Sequence, residues 1–247
     1  MKNKLLKLLK PIIKPILALI NLVGHSYVAL LCRIEYRRQS LNRNERPLEF
    51  EFVFRKISER WPSKLCDVGT GLTALPHLIR NCGILVTSID NIVDYWGFGY
   101  VNRHYHVMHD DIKNSKLPAG EFDMVVCVSV IEHIKEHALA MQGMVRLLRP
   151  GGSLILTCPF NENKYVENVY KLKGSDARQD YPFVTQAFSR HQVSEWLSLC
   201  NIELVDQEYW RFYDGEYWTC GSILPKPIKV TANELHQISC IEFRKLD

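Results

Sequence analysis

Apolar runs alternate with mixed polar and apolar stretches from residue 47 onward. Apolar residues recur at helical spacing in three stretches, which predict helices over residues 47–61, 74–81 and 135–148. Continuous apolar runs predict strands over residues 64–68, 84–90, 105–109, 122–130 and 153–158. Strands that are apolar along their whole length and joined by helices are typical of a parallel sheet covered on both faces. The pattern therefore predicts an α/β fold, with a Rossmann-like, mostly parallel sheet and helices on both faces.

The pattern after residue 159 is less regular. Residues 160–188 form a polar insertion that contains tyrosines, and a helix is predicted over 191–199. Two final strands are predicted over 202–208 and 217–224. The predicted organisation is an N-terminal helical segment at 1–46, a main domain at 47–224 and a C-terminal extension at 225–247.

The segment 1–46 differs from the rest of the chain in charge. Leucine and isoleucine at positions 5, 9, 12 and 16 fall on one face of a helix, with lysines roughly opposite. No charged residue occurs from Pro15 to Cys32. Because proline removes a backbone hydrogen bond, Pro11 and Pro15 are expected to kink or interrupt this helix. Five lysines precede the first acidic residue, Glu35, and they account for the net charge of +4: Lys2, Lys4, Lys7, Lys10 and Lys14.

Three interpretations of this basic, apolar segment remain open. A helix lying in the interface of an anionic membrane fits best, because lysines suit lipid head groups and leucines suit the lipid boundary. A helix packed on the protein's own domain or on a partner is the second interpretation. A transmembrane span, which needs about 20 apolar residues, is the third. Four residues interrupt such a span: Asn21, Gly24, His25 and Ser26. A signal peptide is disfavoured by the poor cleavage site at residues 30–32.

Cysteine usage points to a reducing compartment. The eight cysteines form no Cys-x-x-Cys pair, and several lie in apolar strand-like runs. This is typical of buried, reduced thiols rather than of a disulfide framework or a metal cluster. We therefore expect no metal site, and a cytoplasmic protein that is peripheral on an inner membrane face if its N-terminal segment binds lipid.

The strongest chemical signal is an acidic glycine loop, Asp67-Val68-Gly69-Thr70-Gly71, that directly follows a predicted strand. In an open parallel sheet, ligands bind beyond the carboxyl ends of the strands, and glycine lets the backbone approach them closely. The next strand ends in Asp90, whose carboxylate is placed to accept hydrogen bonds from ribose hydroxyls. The alternatives are an ordinary tight turn and a solvated residue at a strand end.

Five segments in order resemble the successive motifs of class I S-adenosylmethionine-dependent methyltransferases. The resemblance is strong over about 65–159 and weak as far as about 224. It implies that the cofactor is S-adenosylmethionine. The segments are Asp67–Gly71, Asp90, His109–Ile112, Phe122–Val126 and Leu148–Gly152.

The resemblance also implies which residues contact the cofactor. Asp67, Gly69 and Gly71 match the loop that holds the methionine part. Asp90 matches the ribose-binding acid, and Asn91 is expected to lie beside the adenine.

Three further cofactor contacts follow from the same resemblance. Asp111 matches the residue that contacts the adenine amino group, although the adjacent Asp110 leaves this register uncertain by one. Ile112 supplies a backbone or apolar contact, and Ser129 lies where the fourth strand opens toward cofactor and acceptor. Thr73 departs from the third glycine that many members carry. A nicotinamide enzyme would prefer the full Gly-x-Gly-x-x-Gly motif.

The stretch 130–134 is similar to the Glu-His stretch of small-molecule methyltransferases such as the ubiquinone-pathway O-methyltransferases. Some relatives hold a divalent metal here, but Ser129 stands where another carboxylate would be needed, which puts metal dependence in doubt. His133 is a candidate general base, because its unperturbed pKa lies near 6.5. Alternatively, Glu132 and His133 brace the start of the next helix.

The acceptor region is less well marked. Tyr165, Tyr170, Arg190 and His191 are candidates for its walls, although each is individually more typical of a structural residue. Trp96 and Tyr100 are candidates for covering the adenine or lining the site, with core packing at least as good an explanation.

The expected activity is methyl transfer, at oxygen, to a small-molecule, glycan or lipid-linked acceptor. Alternatives are another enzyme on the same fold, such as a nicotinamide oxidoreductase or a synthase, and a non-catalytic membrane-associated binding module. No nucleic-acid partner is expected, because the main domain has no Asn-Pro-Pro-Tyr-like stretch and no basic stripe.

Overall fold

The computed structural model describes residues 2–37, 43–91, 102–177 and 183–247. The chain divides into two compact units, Met1–Asn44 and Glu45–Asp247. The first unit contains a single described helix, α1 (Lys2–Arg37), with Pro11 and Pro15 inside it. Of the kink or interruption expected at these prolines, the interruption is therefore wrong and the kink stays a prediction. Each proline removes one hydrogen bond, and because the two are four residues apart, both gaps fall on the same side of the helix.

The second unit is a mixed sheet with helices on both faces. Its described helices are α2 (Arg46–Arg60), α3 (Leu75–Asn81), α4 (His137–Leu147) and α5 (Arg190–Leu199). Its described strands are β1 (Lys64–Val68), β2 (Leu85–Asp90), β3 (Val107–His109), β4 (Phe122–Val128), β5 (Leu148–Pro159), β6 (Ile202–Tyr213), β7 (Ile223–Val230) and β8 (Ile238–Lys245).

The strand order is β3-β2-β1-β4-β5-β8-β6-β7. Strands β1 to β5 pair in parallel, whereas β8 pairs antiparallel with both β5 and β6, and β7 pairs antiparallel with β6. The predicted α/β fold with a mostly parallel sheet is confirmed.

Both faces of the sheet are buried, which explains why its central strands are apolar throughout. On one face, α2 and α3 pack Phe52 and Ile79 against Met124 and Val126 of β4. On the other face, α4 and α5 pack against the alternate residues of the same strand, Val125 and Cys127, in a second cluster that contains Met141, Met144 and Trp196. Alternation of side chains along β4 thus serves two cores at once.

The C-terminal part of the sheet corrects the sequence-based boundary at 224. Strand β8 lies between β5 and β6, well inside the sheet, although it belongs to the segment that was interpreted as an extension. The last strand before it is β7, not residues 217–224. Two features hid these strands: Pro225 and Pro227 in β7, which an edge strand tolerates, and the charged Glu242 in the middle of β8.

Glu242 is fully buried and ties helix α2 to the sheet. Arg60 donates two hydrogen bonds to its carboxylate, at 2.6 and 3.0 Å, and the Lys56 ammonium lies 3.1 Å away. Burial alone would raise the pKa of Glu242, but the hydrogen bonds from Arg60 and Lys56 outweigh it and lower the pKa. These contacts fix α2, whose N-terminal turn carries Arg46 and Glu49 toward the site described next.

Candidate cofactor and acceptor site

A cavity of about 950 Å³ opens at the carboxyl ends of β1, β2, β4 and β5. Strand β1 pairs with β2 on one side and β4 on the other, so the cavity lies where the strand order reverses. Of the described residues that line it, eight are Asp or Glu and three are Lys or Arg. This excess of carboxylates favours a ligand that carries positive charge.

The glycine loop after β1 has the backbone conformation that the sequence requires of it. Gly69 and Gly71 have φ angles of +75° and +58°, where side chains other than glycine are strained. A Cβ on Gly69 would lie 2.3 Å from a methyl carbon of Val130. The Gly71 amide donates a 2.7 Å hydrogen bond to Oδ2 of Asp90. The structure therefore brings the loop and the strand-end acid together at the cavity wall, where Asn91 also lies.

Asp67 is a buried acid at the cavity wall, and its pKa is raised. It is 2% exposed, and Thr70 Oγ1 donates a 2.8 Å hydrogen bond to its Oδ2. Burial raises the pKa of Asp67 to about 7, the hydrogen bond from Thr70 opposes this, and the nearby charge of Asp90 adds to it. Asp67 is therefore close to half-ionised at neutral pH.

Asn102 braces the same loop, and sequence reasoning missed it. Its side-chain nitrogen donates to the carbonyl oxygens of Gly71 (2.8 Å) and Thr73 (3.0 Å), and its oxygen accepts from the amides of His104 and Tyr105. Where many relatives carry a third glycine, the Thr73 hydroxyl donates to the Thr70 carbonyl at 2.9 Å. An isolated asparagine outside the predicted helices and strands carries no signal that would mark this role.

Asp110 and Asp111 both line the cavity but differ in their contacts. The Asp110 carboxylate accepts from the Ser115 hydroxyl at 2.5 Å and from the Lys116 amide, so it holds the following loop. The Asp111 side chain is 40% exposed and accepts from the Lys113 amide at 3.0 Å, which caps the 3₁₀ turn Ile112–Asn114. These contacts favour Asp111 over Asp110 as the residue that reaches a ligand. Its contact with adenine stays a prediction, as does that of Ile112.

Ser129 lies at the cavity with a φ of +51° and is held to β5 by its amide, which donates to the Thr157 carbonyl at 3.1 Å. Its hydroxyl donates to Oε1 of Glu49 in α2. The Thr157 hydroxyl donates to the same oxygen at 2.7 Å, and Arg46 donates to Oε2 at 2.7 Å. A carboxylate is therefore present beside Ser129 after all. It comes from Glu49, 80 positions earlier in the chain, where sequence spacing gave no hint of it.

Glu132 is only 3% exposed and lines the cavity. Its Oε2 has no hydrogen-bond partner among the described residues, and its Oε1 lies 3.9 Å from Nε2 of His133. Burial, reinforced by the charge of Glu49, raises the pKa of Glu132 well above its usual range. Burial therefore favours the protonated, neutral form of this side chain.

His133 is held by the insertion that follows β5. Its Nδ1 lies 2.8 Å from the Val184 carbonyl oxygen, which can only accept, so Nδ1 carries the proton and the neutral ring has its lone pair on Nε2. Burial lowers the pKa of His133. The backbone of Glu132 accepts a hydrogen bond from the Gln186 amide at 2.9 Å. The pair thus anchors the insertion as well as facing the cavity, and α4 begins only at His137.

The outer wall of the cavity comes from the insertion and from the loop between β6 and β7. Described lining residues there are Tyr170, Phe183, Thr185, Trp218 and Thr219. Sequence reasoning found Tyr170 but missed Trp218.

The other predicted wall residues are engaged elsewhere. Tyr165 donates to the Gln186 side chain at 2.7 Å, Arg190 pairs with Glu162 at 2.7 Å, and His191 is exposed. None of these three is among the described lining residues. Trp96 and Tyr100 lie outside the described residues. Within the described ranges, no three His, Cys, Asp or Glu side chains are grouped to hold a metal ion.

The central part of the chain is similar to known proteins. Residues 66–156 match the family described as "Methyltransferase domain". Among curated relatives, the ubiquinone biosynthesis O-methyltransferase of Haemophilus ducreyi is 26% identical over 121 residues, which cover 45% of this chain and 51% of the relative. The corresponding protein of Psychrobacter arcticus is 28% identical over 102 residues, covering 38% and 40%. The chain thus spans about half, or less, of these curated relatives.

Solved structures share the fold at low identity. A SAM-dependent methyltransferase from Methanosarcina mazei has a TM-score of 0.51 and 16% identity, and the match covers 77% of this chain and 97% of that one. The 1,6-didemethyltoxoflavin-N1-methyltransferase of Burkholderia thailandensis, solved with bound 1,6-didemethyltoxoflavin and S-adenosylhomocysteine, has a TM-score of 0.51 and 15% identity, and the match covers 90% of each chain.

Proposed function

We propose that this chain, which carries a class I S-adenosylmethionine-dependent methyltransferase domain, transfers a methyl group from S-adenosylmethionine to an oxygen of a small-molecule, glycan or lipid-linked acceptor. One observation carries the proposal: the acid-rich cavity at the strand reversal, in which Asp90 is hydrogen-bonded to the loop of Gly69 and Gly71. A site whose carboxylates accept hydrogen bonds suits a ligand with ribose hydroxyls and a net positive charge.

Each part of the cofactor has complementary residues along the cavity. Asp90 accepts from the ribose hydroxyls, while Asn91, Asp111 and Ile112 face the adenine. Gly69 and Gly71 leave room for the methionine chain beside Asp67. When bound, the cofactor supplies an electrophilic methyl group on a sulfonium centre.

His133 and Glu132 are proposed to receive the acceptor. Neutral His133 offers its Nε2 lone pair to an acceptor hydroxyl and takes its proton as the oxygen becomes nucleophilic. Glu132, as a neutral acid, offers a hydrogen bond to a second polar atom of the acceptor. The residues' main task is to hold the oxygen about 3 Å from the methyl carbon, in line with the breaking bond.

The outer wall supports an acceptor with an apolar or aromatic body. Tyr170, Phe183 and Trp218 can cover such a body and exclude water from the transfer. The O-methyltransferase names of the curated relatives support oxygen as the acceptor atom.

Calorimetric titration tests the cofactor assignment. We expect the chain to bind S-adenosylmethionine and S-adenosylhomocysteine but not nicotinamide dinucleotides. Asp90→Ala should weaken binding by roughly ten- to a hundredfold, because a hydrogen bond to a charged group contributes about 1.5–3 kcal/mol. The matched control is Asp176→Ala, since Asp176 is an exposed aspartate that does not line the cavity. Binding of a nicotinamide cofactor, or equal affinity in the Asp90 variant, would overturn the assignment.

A labelling experiment tests the activity itself. The protein is incubated with methyl-labelled S-adenosylmethionine and fractionated host extract. The labelled product is treated with alkali, which releases label from methyl esters, and with hot hydriodic acid, which releases it from methyl ethers as methyl iodide but leaves it on N-methyl groups. Label in an O-methyl product supports the proposal. Tight cofactor binding with no transfer to any fraction would favour the non-catalytic binding module.

A further inference from the structure

We infer that helix α1 crosses a lipid bilayer and anchors the chain as a membrane-spanning segment. The inference concerns the N-terminal unit alone and does not depend on the proposed methyl transfer. Within the described residues, one helical stretch is long and apolar enough to span a membrane: Ile13–Ile34, 22 residues with a mean hydropathy of 1.8. None of that window is buried in the protein.

The length of this stretch matches the hydrocarbon layer. Twenty-two residues at about 1.5 Å per residue give roughly 33 Å, against about 30 Å for the hydrocarbon core of a bilayer. Because α1 continues without a break through Pro11 and Pro15 as far as Arg37, the stretch is a single helical rod with further turns at both ends. The sequence alone favoured an interfacial helix for two reasons: its lysines suit lipid head groups, and four residues interrupt an apolar span, namely Asn21, Gly24, His25 and Ser26.

The apolar residues surround the helix instead of forming one stripe. Ile16, Leu17, Ala18, Leu19 and Ile20 are consecutive and all exposed, so at about 100° per residue they face every side. A helix that is apolar all round needs an apolar environment all round, whereas an interfacial helix needs a charged face. No charged residue lies between Pro15 and Cys32 to provide one.

Polar and basic residues are placed where a span tolerates them. Asn21 and His25 are four residues apart, so these two polar side chains share one face, and the small hydroxyl of Ser26 is the only other polar side chain within residues 16–26. Lys14 precedes the uncharged stretch and Arg33 and Arg37 follow it, where long basic side chains reach the head groups on either side.

Membrane extraction distinguishes a span from an interfacial helix. The full chain with a C-terminal epitope tag is produced in bacterial cells, and the membranes are washed first with concentrated salt and then with alkaline carbonate. We expect the protein to stay with the membranes through both washes and to leave them only in detergent. Release of most of the protein by either wash would overturn the inference, because a spanning helix resists both. Loss of residues 1–37 from the purified protein, read by intact mass, would also overturn it, since it would identify a cleaved leader.

Two variants sharpen the test. Leu19→Lys with Val23→Lys places two charges inside the span and should move most of the protein to the soluble fraction. The matched pair Leu19→Ile with Val23→Leu keeps the hydropathy and should stay in the membrane. A third variant, in which Lys4, Lys7 and Lys10 are all replaced by Gln, should also stay. Its release by salt would show that lysines on a lipid surface, not a span, hold the protein. Because the exchanged residues lie outside the main domain, unchanged thermal unfolding of that domain shows that it remains folded.

Discussion

Gly143 offers the sharpest test of how the turn Ile112–Asn114 is positioned at the cavity. It lies inside α4, where exchanging glycine for alanine would ordinarily stabilise a helix by about 1 kcal/mol. Here, however, a Cβ at position 143 would lie 2.0 Å from the carbonyl oxygen of Ile112. Ordinary contact begins at 3.4 Å, so the helix or the turn Ile112–Asn114 must move by more than 1 Å.

We expect this steric cost to exceed the gain in helix propensity. Overpacking a buried contact costs about 1–3 kcal/mol, and the atom in the way is backbone and not a flexible side-chain end. Gly143→Ala should therefore lower the free energy of unfolding by up to about 2 kcal/mol. It should also weaken cofactor binding, because the displaced turn is the one that Asp111 caps.

Urea unfolding followed by circular dichroism measures the first effect, and calorimetric titration with S-adenosylhomocysteine measures the second. Gly24→Ala is the matched control, because Gly24 is also helical but has nothing within 4 Å of the added Cβ. It should change neither the unfolding of the main domain nor the affinity. A Gly143→Ala protein as stable as the wild type, with equal affinity, would refute the steric argument.

Three further predictions concern the polar side chains of the cavity. Glu49→Ala should destabilise the domain by about 2–3 kcal/mol in urea unfolding, because it leaves half-buried Arg46 and the hydroxyls of Ser129 and Thr157 without the Glu49 carboxylate. Thr157→Val removes only one of these hydrogen bonds and should cost about 1 kcal/mol; similar losses for the two variants would contradict this. His133→Gln should lower kcat by about 10²–10⁴-fold with unchanged cofactor affinity. In the wild type, kcat should fall as the pH drops below 6.5 and His133 becomes protonated, and the variant should lack this fall. The pKa of Asp67 is raised to about 7 in the folded protein, so stability of the unliganded domain should fall as pH rises from about 4 to 7, and Asp67→Asn should flatten that slope in urea unfolding at several pH values.

The parallel half of the sheet could be predicted because its signal is local. The strands β1 and β4 and the second half of β5 are short apolar runs, and the predicted bounds of β1 agree with the observed Lys64–Val68. The ligand-facing residues at the strand ends follow from the same logic, since a parallel sheet collects the carboxyl ends of its strands at one edge. Asp67 and Asp90 could therefore be placed at one edge of the sheet from the sequence alone.

The features that the sequence did not predict depend on contacts between residues that are far apart in the chain. Glu49 reaches Ser129 because α2 is held against the sheet, and Asn102 reaches Gly71 from 31 positions away in the chain. Neither residue type is unusual in a helix or a loop, so nothing in their own neighbourhood marks them. Strand β8 was missed because its central Glu242 is paired with Arg60, 182 positions away in the chain.

The position of β8 also has a consequence for how the chain is made. It is synthesised after β6 and β7, yet it separates β5 from β6. A chain emerging from the ribosome therefore exposes two unpaired strand edges, on β5 and β6, until residue 245 has emerged. During that interval Lys56 and Arg60 also lack Glu242, and the exposed edges are open to pairing with other nascent chains. Slow translation of the segment between β7 and β8 should therefore increase aggregation more than an equal delay before β1.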